Sequence, residues 1–124
     1  MLKWVIAAAA LVAAPVAASA QDAEAGAAVF KKCAACHQIG PDAKNGLGPA
    51  LTCVAGKAAG HHEGFNYSDA VKNSGITWTD ENLLAWFEKD DAVVKGNKMI
   101  FPAGIKNEDD RKNLLAYIKS QCKE

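Results

Sequence analysis

The sequence lacks an excess of charge of either sign. Lysine and arginine together number 14, aspartate and glutamate also number 14, and the formal net charge is zero. Proteins that bind nucleic acids through bulk charge carry a clear basic surplus, so this composition argues against a nucleic-acid partner. After residue 20 the chain also lacks internal repeats and low-complexity linkers, and no convincing alternation of apolar and polar residues indicates a strand.

No apolar run is long enough to span a bilayer. Spanning takes roughly 20 apolar residues, whereas the run over residues 4–16 is shorter and Pro15 interrupts it. Lys3 precedes this run and Ala18-Ser19-Ala20 follows it. This is the pattern of a secretory signal peptide and its cleavage site, so we expect residues 1–20 to be removed on export to the periplasm.

The chain that remains, residues 21–124, has the length of one domain. Helical patterns occupy four segments: residues 22–32, residues 68–73, a segment that starts at Thr79, and residues 107–122. Residues 38–66 between them show little regular pattern, which is unusual in a small domain unless a buried group organises the loop. The sequence therefore predicts an all-α domain with long loops around a cofactor.

Two cysteines and a histidine are concentrated in the pentapeptide Cys33-Ala34-Ala35-Cys36-His37. This spacing attaches haem c, because each thiol can bond one vinyl group and the adjacent imidazole then lies below the iron. A redox dithiol would normally belong to a βαβ unit, which the sequence lacks. A zinc site would need two more ligands, and the other histidines, His61 and His62, are sequence neighbours that rarely share a metal. We therefore expect one covalently bound haem c.

The second axial ligand could be a methionine, another histidine or water. Once the signal peptide is removed, Met99 is the only methionine in the chain. A lone methionine is usually a core residue, but a haem makes it a candidate ligand. His61 and His62 lie between Gly60 and Gly64 in a segment that suggests an exposed turn, and we expect them to be solvated. The residues thus favour His37 and Met99 as metal ligands.

Motifs along residues 22–121 resemble those of class I c-type cytochromes, especially the bacterial cytochrome c2 group. They are Gly26 with Phe30, the pentapeptide CAACH, and residues 47–49 (LGP), 64–70 (GFNYSDA), 75–78 (GITW), 98–101 (KMIF) and 114–117 (LLAY). The resemblance implies the small cytochrome c fold, with about four helices and long loops wrapped around one haem. It also implies that the first and last helices cross at Gly26, near Leu114 and Tyr117.

The resemblance assigns further residues to the cofactor site. It implies that the Pro49 carbonyl accepts a hydrogen bond from the His37 imidazole, and that Tyr67 and Trp78 hydrogen-bond a haem propionate. Lys57 stands where the family usually has an arginine near a propionate, which keeps the charge and loses the planar fork.

Two other positions depart from the family pattern. Trp86 stands where the family has a buried tyrosine beside the methionine ligand, and Val71 replaces a nearby asparagine. We expect a drier and less hydrogen-bonded pocket on the Met99 side.

Cys53 and Cys122 lie outside the usual pattern of the family. Export places them in an oxidising compartment, where cysteine pairs are commonly joined. The fold that the resemblance implies brings the loop with Cys53 near the end of the last helix. We expect a disulfide between them, with two separate thiols as the alternative.

The resemblance implies a monomeric one-electron carrier rather than an enzyme. Its donor would be a quinol-oxidising cytochrome complex, and its acceptor a terminal oxidase, a photosynthetic reaction centre or a periplasmic reductase. These membrane-bound complexes would dock transiently at the haem edge, which the family surrounds with lysines; the candidates are Lys31, Lys32, Lys95 and Lys98. A gas sensor or a small peroxidase would instead need an accessible iron.

Overall fold

The computed structural model describes residues 22–123, and over this range it contains five helices connected by long loops. The helices are α1 (Ala23–Phe30), α2 (Asp69–Lys72), α3 (Asp80–Glu88), α4 (Asp90–Val93) and α5 (Glu108–Ser120). The β pairing described in this range is one isolated antiparallel bridge between Ala58 and Thr77. The all-α prediction is therefore confirmed. No helix in these residues could cross a bilayer, and the expected signal peptide lies outside the described residues.

Side-chain caps explain where four of the helices begin. An oxygen of the residue before each helix accepts a hydrogen bond from a backbone N–H of the first turn; these residues are Asp22, Ser68, Thr79 and Asn107. Each cap lies at the start of a predicted helix. The sequence did not predict α4. Both α2 and α4 have four residues, but α4 has no side-chain cap to mark its start.

Helices α1 and α5 cross at Gly26, as the resemblance implies. A Cβ at this glycine would overlap the backbone carbonyl of Asn113 and lie 2.7 Å from Cβ of Tyr117. The Asp22 N–H donates to the Asn113 side-chain oxygen at 2.9 Å, and the rings of Phe30 and Tyr117 are 5.3 Å apart. This close contact fixes the position of the chain that leaves α1, which carries the pentapeptide.

A disulfide joins Cys53 to Cys122 across a sequence separation of 69 residues. The bond ties the loop before α2 to the residues that follow α5. The cysteines of the pentapeptide, Cys33 and Cys36, take no part in a disulfide.

Candidate functional site

One cavity of about 790 Å³ brings the predicted cofactor residues together. Its wall includes Cys33, Cys36, His37, Pro49, Lys57, Tyr67, Trp78 and Met99. Core side chains such as Leu83, Phe87 and Ile118 form part of the same wall. The volume lies within the range of about 300–1,000 Å³ that is usual for small-molecule and cofactor sites. A largely apolar group that can bond to both thiols fits this set of residues.

The pentapeptide continues from α1 as a series of turns. The Cys33 N–H donates to the Phe30 carbonyl at 2.7 Å, and the His37 N–H donates to the Cys33 carbonyl at 2.9 Å. Burial and, to a smaller extent, the neighbouring Cys36 raise the pKa of the Cys33 thiol to about 11, although Lys32 opposes both effects. Redox-active thiols have lowered pKa values, so this environment does not suit a redox dithiol.

The zinc alternative also lacks support in the described part of the chain. Among residues 22–123, no group of three or more histidine, cysteine, aspartate or glutamate side chains could hold a metal ion. The pentapeptide therefore does not complete a protein-only metal site.

The His37 ring is held in one orientation by the loop that faces it. Nδ1 lies 2.8 Å from the Pro49 carbonyl oxygen, which can only accept, so we assign the ring proton to Nδ1. Burial lowers the pKa of His37, although the hydrogen bond to Pro49 opposes this effect. The neutral imidazole therefore keeps an unprotonated Nε2, which is the form that binds a metal.

Tyr67, Trp78 and Lys57 form another part of the wall. The Tyr67 hydroxyl oxygen accepts from the His62 N–H at 3.2 Å, and burial raises the pKa of this phenol while that hydrogen bond lowers it. Trp78 is buried, and its backbone N–H donates to the Lys57 carbonyl at 2.8 Å. The three residues thus share the cavity, while their contacts with a propionate stay a prediction.

Met99 is half-buried and borders the cavity in a segment that is neither helix nor strand. Its N–H donates to the side-chain oxygen of Asn97 at 2.9 Å. The Asn97 amide nitrogen donates to the Val94 carbonyl at 3.0 Å and to the Asp91 carboxylate at 3.1 Å. Sequence reasoning missed Asn97. The available signal was the Gly96-Asn97 dipeptide, which favours a turn and has Gly96 at φ 83°.

The four candidate docking lysines are all exposed, but they differ in their relation to the cavity. Lys32 and Lys98 form part of its wall, whereas Lys31 and Lys95 are not among the lining residues. The structure therefore favours Lys32 and Lys98 as residues at the rim of the cavity.

Two exposed apolar residues at the same cavity were missed by sequence reasoning. Leu47 is 82% exposed and Ile100 is 89% exposed, and both belong to the cavity wall. His61 and His62 are also exposed there, in agreement with the expectation that they are solvated. The cavity mouth thus combines large apolar side chains with lysines, a combination suited to brief protein contacts.

Comparison with known proteins shows the family to which the chain is similar. The family model described as "Cytochrome c" matches residues 23–121. The chain is 54% identical to cytochrome c2 of Rhodoblastus acidophilus over 99 residues. The matched residues make up 80% of this chain and 92% of that protein. The chain is 53% identical over 102 residues to cytochrome c2 of Blastochloris viridis, covering 82% and 80% respectively. The solved structure of cytochrome c2 from Rhodospirillum centenum matches with a TM-score of 0.76 and 41% identity, over 81% of this chain and 98% of that one.

Proposed function

Because the chain belongs to the cytochrome c family, whose members carry electrons on a covalently attached haem c, we propose that it is a periplasmic carrier with His37 and Met99 as iron ligands. The shared cavity is the observation that supports this ligand pair, since His37 and Met99 border it together with both thiols of the pentapeptide. Cys33 and Cys36 would hold the haem through thioether bonds. When bound, the haem supplies reversible one-electron exchange at its iron.

The local chemistry of the residues supports a carrier. With Nδ1 committed to Pro49, the His37 ring can offer only Nε2 to a metal. A second protein ligand from Met99 would leave no open position for a gas or a peroxide. A thioether ligand and apolar surroundings favour the ferrous state, so we expect a reduction potential that is high for haem c.

The proposed partners are membrane-bound redox complexes that dock at the cavity mouth. A quinol-oxidising cytochrome complex would be the donor, and an oxidase, a photosynthetic reaction centre or a reductase would be the acceptor. Lys32 and Lys98 would steer an acidic partner, and Leu47 and Ile100 would give a small apolar contact that separates easily.

Visible spectra with and without carbon monoxide test the ligand pair. We expect the wild-type protein to show a low-spin spectrum with a weak far-red iron–thioether band when oxidised, and no response to carbon monoxide when reduced. Met99→Ala should lose the band and bind the gas. Ile100→Ala, next in the chain and highly exposed, should keep the wild-type spectra. Prompt gas binding by the wild-type protein would show an open iron and favour a sensor or a peroxidase.

Steering is tested by the rate at which quinol-supplied bacterial membranes reduce the protein. Lys98→Gln should slow this reaction at low ionic strength, and the difference should shrink as salt is added. Lys123→Gln removes an exposed lysine that is not among the residues lining the cavity and should leave the rate unchanged. Equal effects of the two variants would exclude local steering at the cavity mouth.

The proposed removal of residues 1–20 can be tested by the mass of the exported chain. Mass spectrometry of the protein recovered from the periplasmic fraction should give a chain that starts at Gln21. A chain that keeps residues 1–20 would contradict the proposed domain boundary.

A further inference from the structure

The Asn97 side chain connects the Met99 segment to the turn that begins with α4. Its oxygen accepts from the Met99 N–H at 2.9 Å, and its nitrogen donates to the Val94 carbonyl and to the Asp91 carboxylate at 3.0 and 3.1 Å. One amide thus uses both its acceptor and its donors across residues 91–99.

The two ends of this connection differ in how firmly the fold holds them. Asp90 and Val94 are 6% and 5% exposed, so the turn on the α4 side is anchored in the interior. Gly96 and Lys98, on either side of Asn97, are exposed, and residues 97–101 belong to neither helix nor strand. The Asn97 backbone N–H also donates to the Val94 carbonyl at 3.3 Å, and the side-chain amide adds three further hydrogen bonds to the attachment of the Met99 end.

We propose that Asn97 is a positioning residue that keeps Met99 over the cavity by tying its N–H to Val94 and Asp91. This inference rests on the proposed ligation by His37 and Met99. Without the amide, the Met99 segment loses three hydrogen bonds. Met99 then spends a larger fraction of time away from the iron.

Imidazole binding measures the fraction of molecules in which Met99 is away from the iron. Imidazole can bind the oxidised iron only in molecules in which Met99 has moved away, so its apparent dissociation constant falls in proportion as the open fraction rises. Loss of these partly exposed hydrogen bonds should raise the open fraction about tenfold.

The experiment is a titration of the oxidised holoprotein with imidazole at pH 7, followed by the far-red iron–thioether band. Asn97→Ala should bind imidazole about ten times more tightly than the wild-type protein. Asp91→Ala removes one exposed hydrogen bond and should tighten binding about threefold. The double variant should not exceed Asn97→Ala, because both substitutions remove the same contact.

Asn73→Ala serves as the matched control. Asn73 is exposed at the C-terminal end of α2, and this substitution should leave imidazole binding unchanged. The proposal is wrong if Asn97→Ala stays within about twofold of wild type, or if Asn73→Ala shows the same gain. Should Asn97→Ala fail to fold, Asp91→Ala decides by the same criterion, since its site is on the surface.

Ligation by Met99 and positioning by Asn97 would be overturned by different results. A wild-type protein without the iron–thioether band would overturn ligation by Met99 itself. A wild-type protein that shows the band, together with unchanged imidazole affinity in the Asn97 and Asp91 variants, would overturn only the role of Asn97.

Discussion

Gly48 contacts the His37 ring so closely that a Cβ added at this glycine would lie 2.7 Å from Nδ1 and 2.9 Å from Nε2. On the same loop, the Pro49 carbonyl oxygen lies 2.8 Å from Nδ1. The Gly48 N–H donates to the Cys36 carbonyl at 2.8 Å, which prevents the loop from moving away. The His37 imidazole is therefore held by its hydrogen bond to Pro49 and by close packing against Gly48.

We expect Gly48→Ala to displace the His37 ring from Pro49. The free energy of unfolding of the holoprotein should fall by about 1–3 kcal/mol, which is usual when extra volume is forced into a packed site. Urea unfolding followed by haem absorbance measures the change. Gly46→Ala is the matched control, because its Cβ would lie 3.8 Å from the Cys36 carbonyl oxygen in ordinary contact. Equal stability of the two variants would show that the loop can adjust.

Removal of the Cys53–Cys122 disulfide should also destabilise the protein. The bond closes a sequence separation of 69 residues, and in the chain-entropy model this stabilises the fold by about 4 kcal/mol. Urea unfolding of the Cys53→Ser, Cys122→Ser double variant should show a loss of this size. Thiol titration of the unreduced, unfolded wild-type holoprotein should find no free thiol. Two titratable thiols would show that the pair is not joined.

Local chemistry made much of the fold predictable. Caps such as Thr79 and Asn107 act on the N–H groups of the next turn, so their effect is visible in a few consecutive residues. The attachment pentapeptide is local in the same sense. Met99 could be found because no other methionine remains after the expected signal peptide.

Contacts set by the path of the chain were not predictable in this way. The donors of Asn97 reach Asp91 and Val94 only because the chain turns back after α4. The cavity includes Lys98 and not Lys95, a difference that depends on where each side chain points along an irregular segment. Spacing rules for helices and strands give no direction there.

Trp86 offers a test of how polarity near the cavity sets the reduction potential. Its ring is half-buried, borders the cavity and lies edge-on to Trp78 with centroids 5.1 Å apart. Trp86→Tyr adds a hydroxyl, which should favour the more highly charged ferric state and lower the potential by about 40 mV, equivalent to about 1 kcal/mol. Redox titration measures this shift.

Trp86→Phe separates the hydroxyl from the change in ring size. This variant adds no polar atom, so its potential should stay closer to that of wild type than the potential of Trp86→Tyr. An unchanged potential and an unchanged alkaline ligand-exchange midpoint in Trp86→Tyr would contradict the expectation of a dry pocket on the Met99 side.

The Asp90 carboxyl is buried at the start of α4, and its Oδ2 has no hydrogen-bond partner among the described residues. Oδ1 accepts from the Asp91 N–H at 2.8 Å. Burial and the nearby Asp91 carboxylate raise the pKa of Asp90, although the hydrogen bond from the Asp91 N–H opposes the shift. Because the folded-state pKa is above the unfolded value, ionisation costs the folded state stability as the pH rises through the interval between them.

We therefore expect Asp90→Asn to stabilise the protein at pH 7 and to lose this advantage in acid. The gain in the free energy of unfolding at pH 7 should be about 0.5 kcal/mol, because solvent screens part of the cost of burying the charge. The gain should vanish below about pH 4, where the carboxyl of the unfolded chain is also protonated. Urea unfolding at both pH values measures the difference. Asp109→Asn removes an exposed carboxylate from the first turn of α5 and should not stabilise at pH 7, because it loses a favourable charge at a helix N-terminus. A loss of stability in Asp90→Asn at pH 7 would show that the carboxylate has a partner in solution.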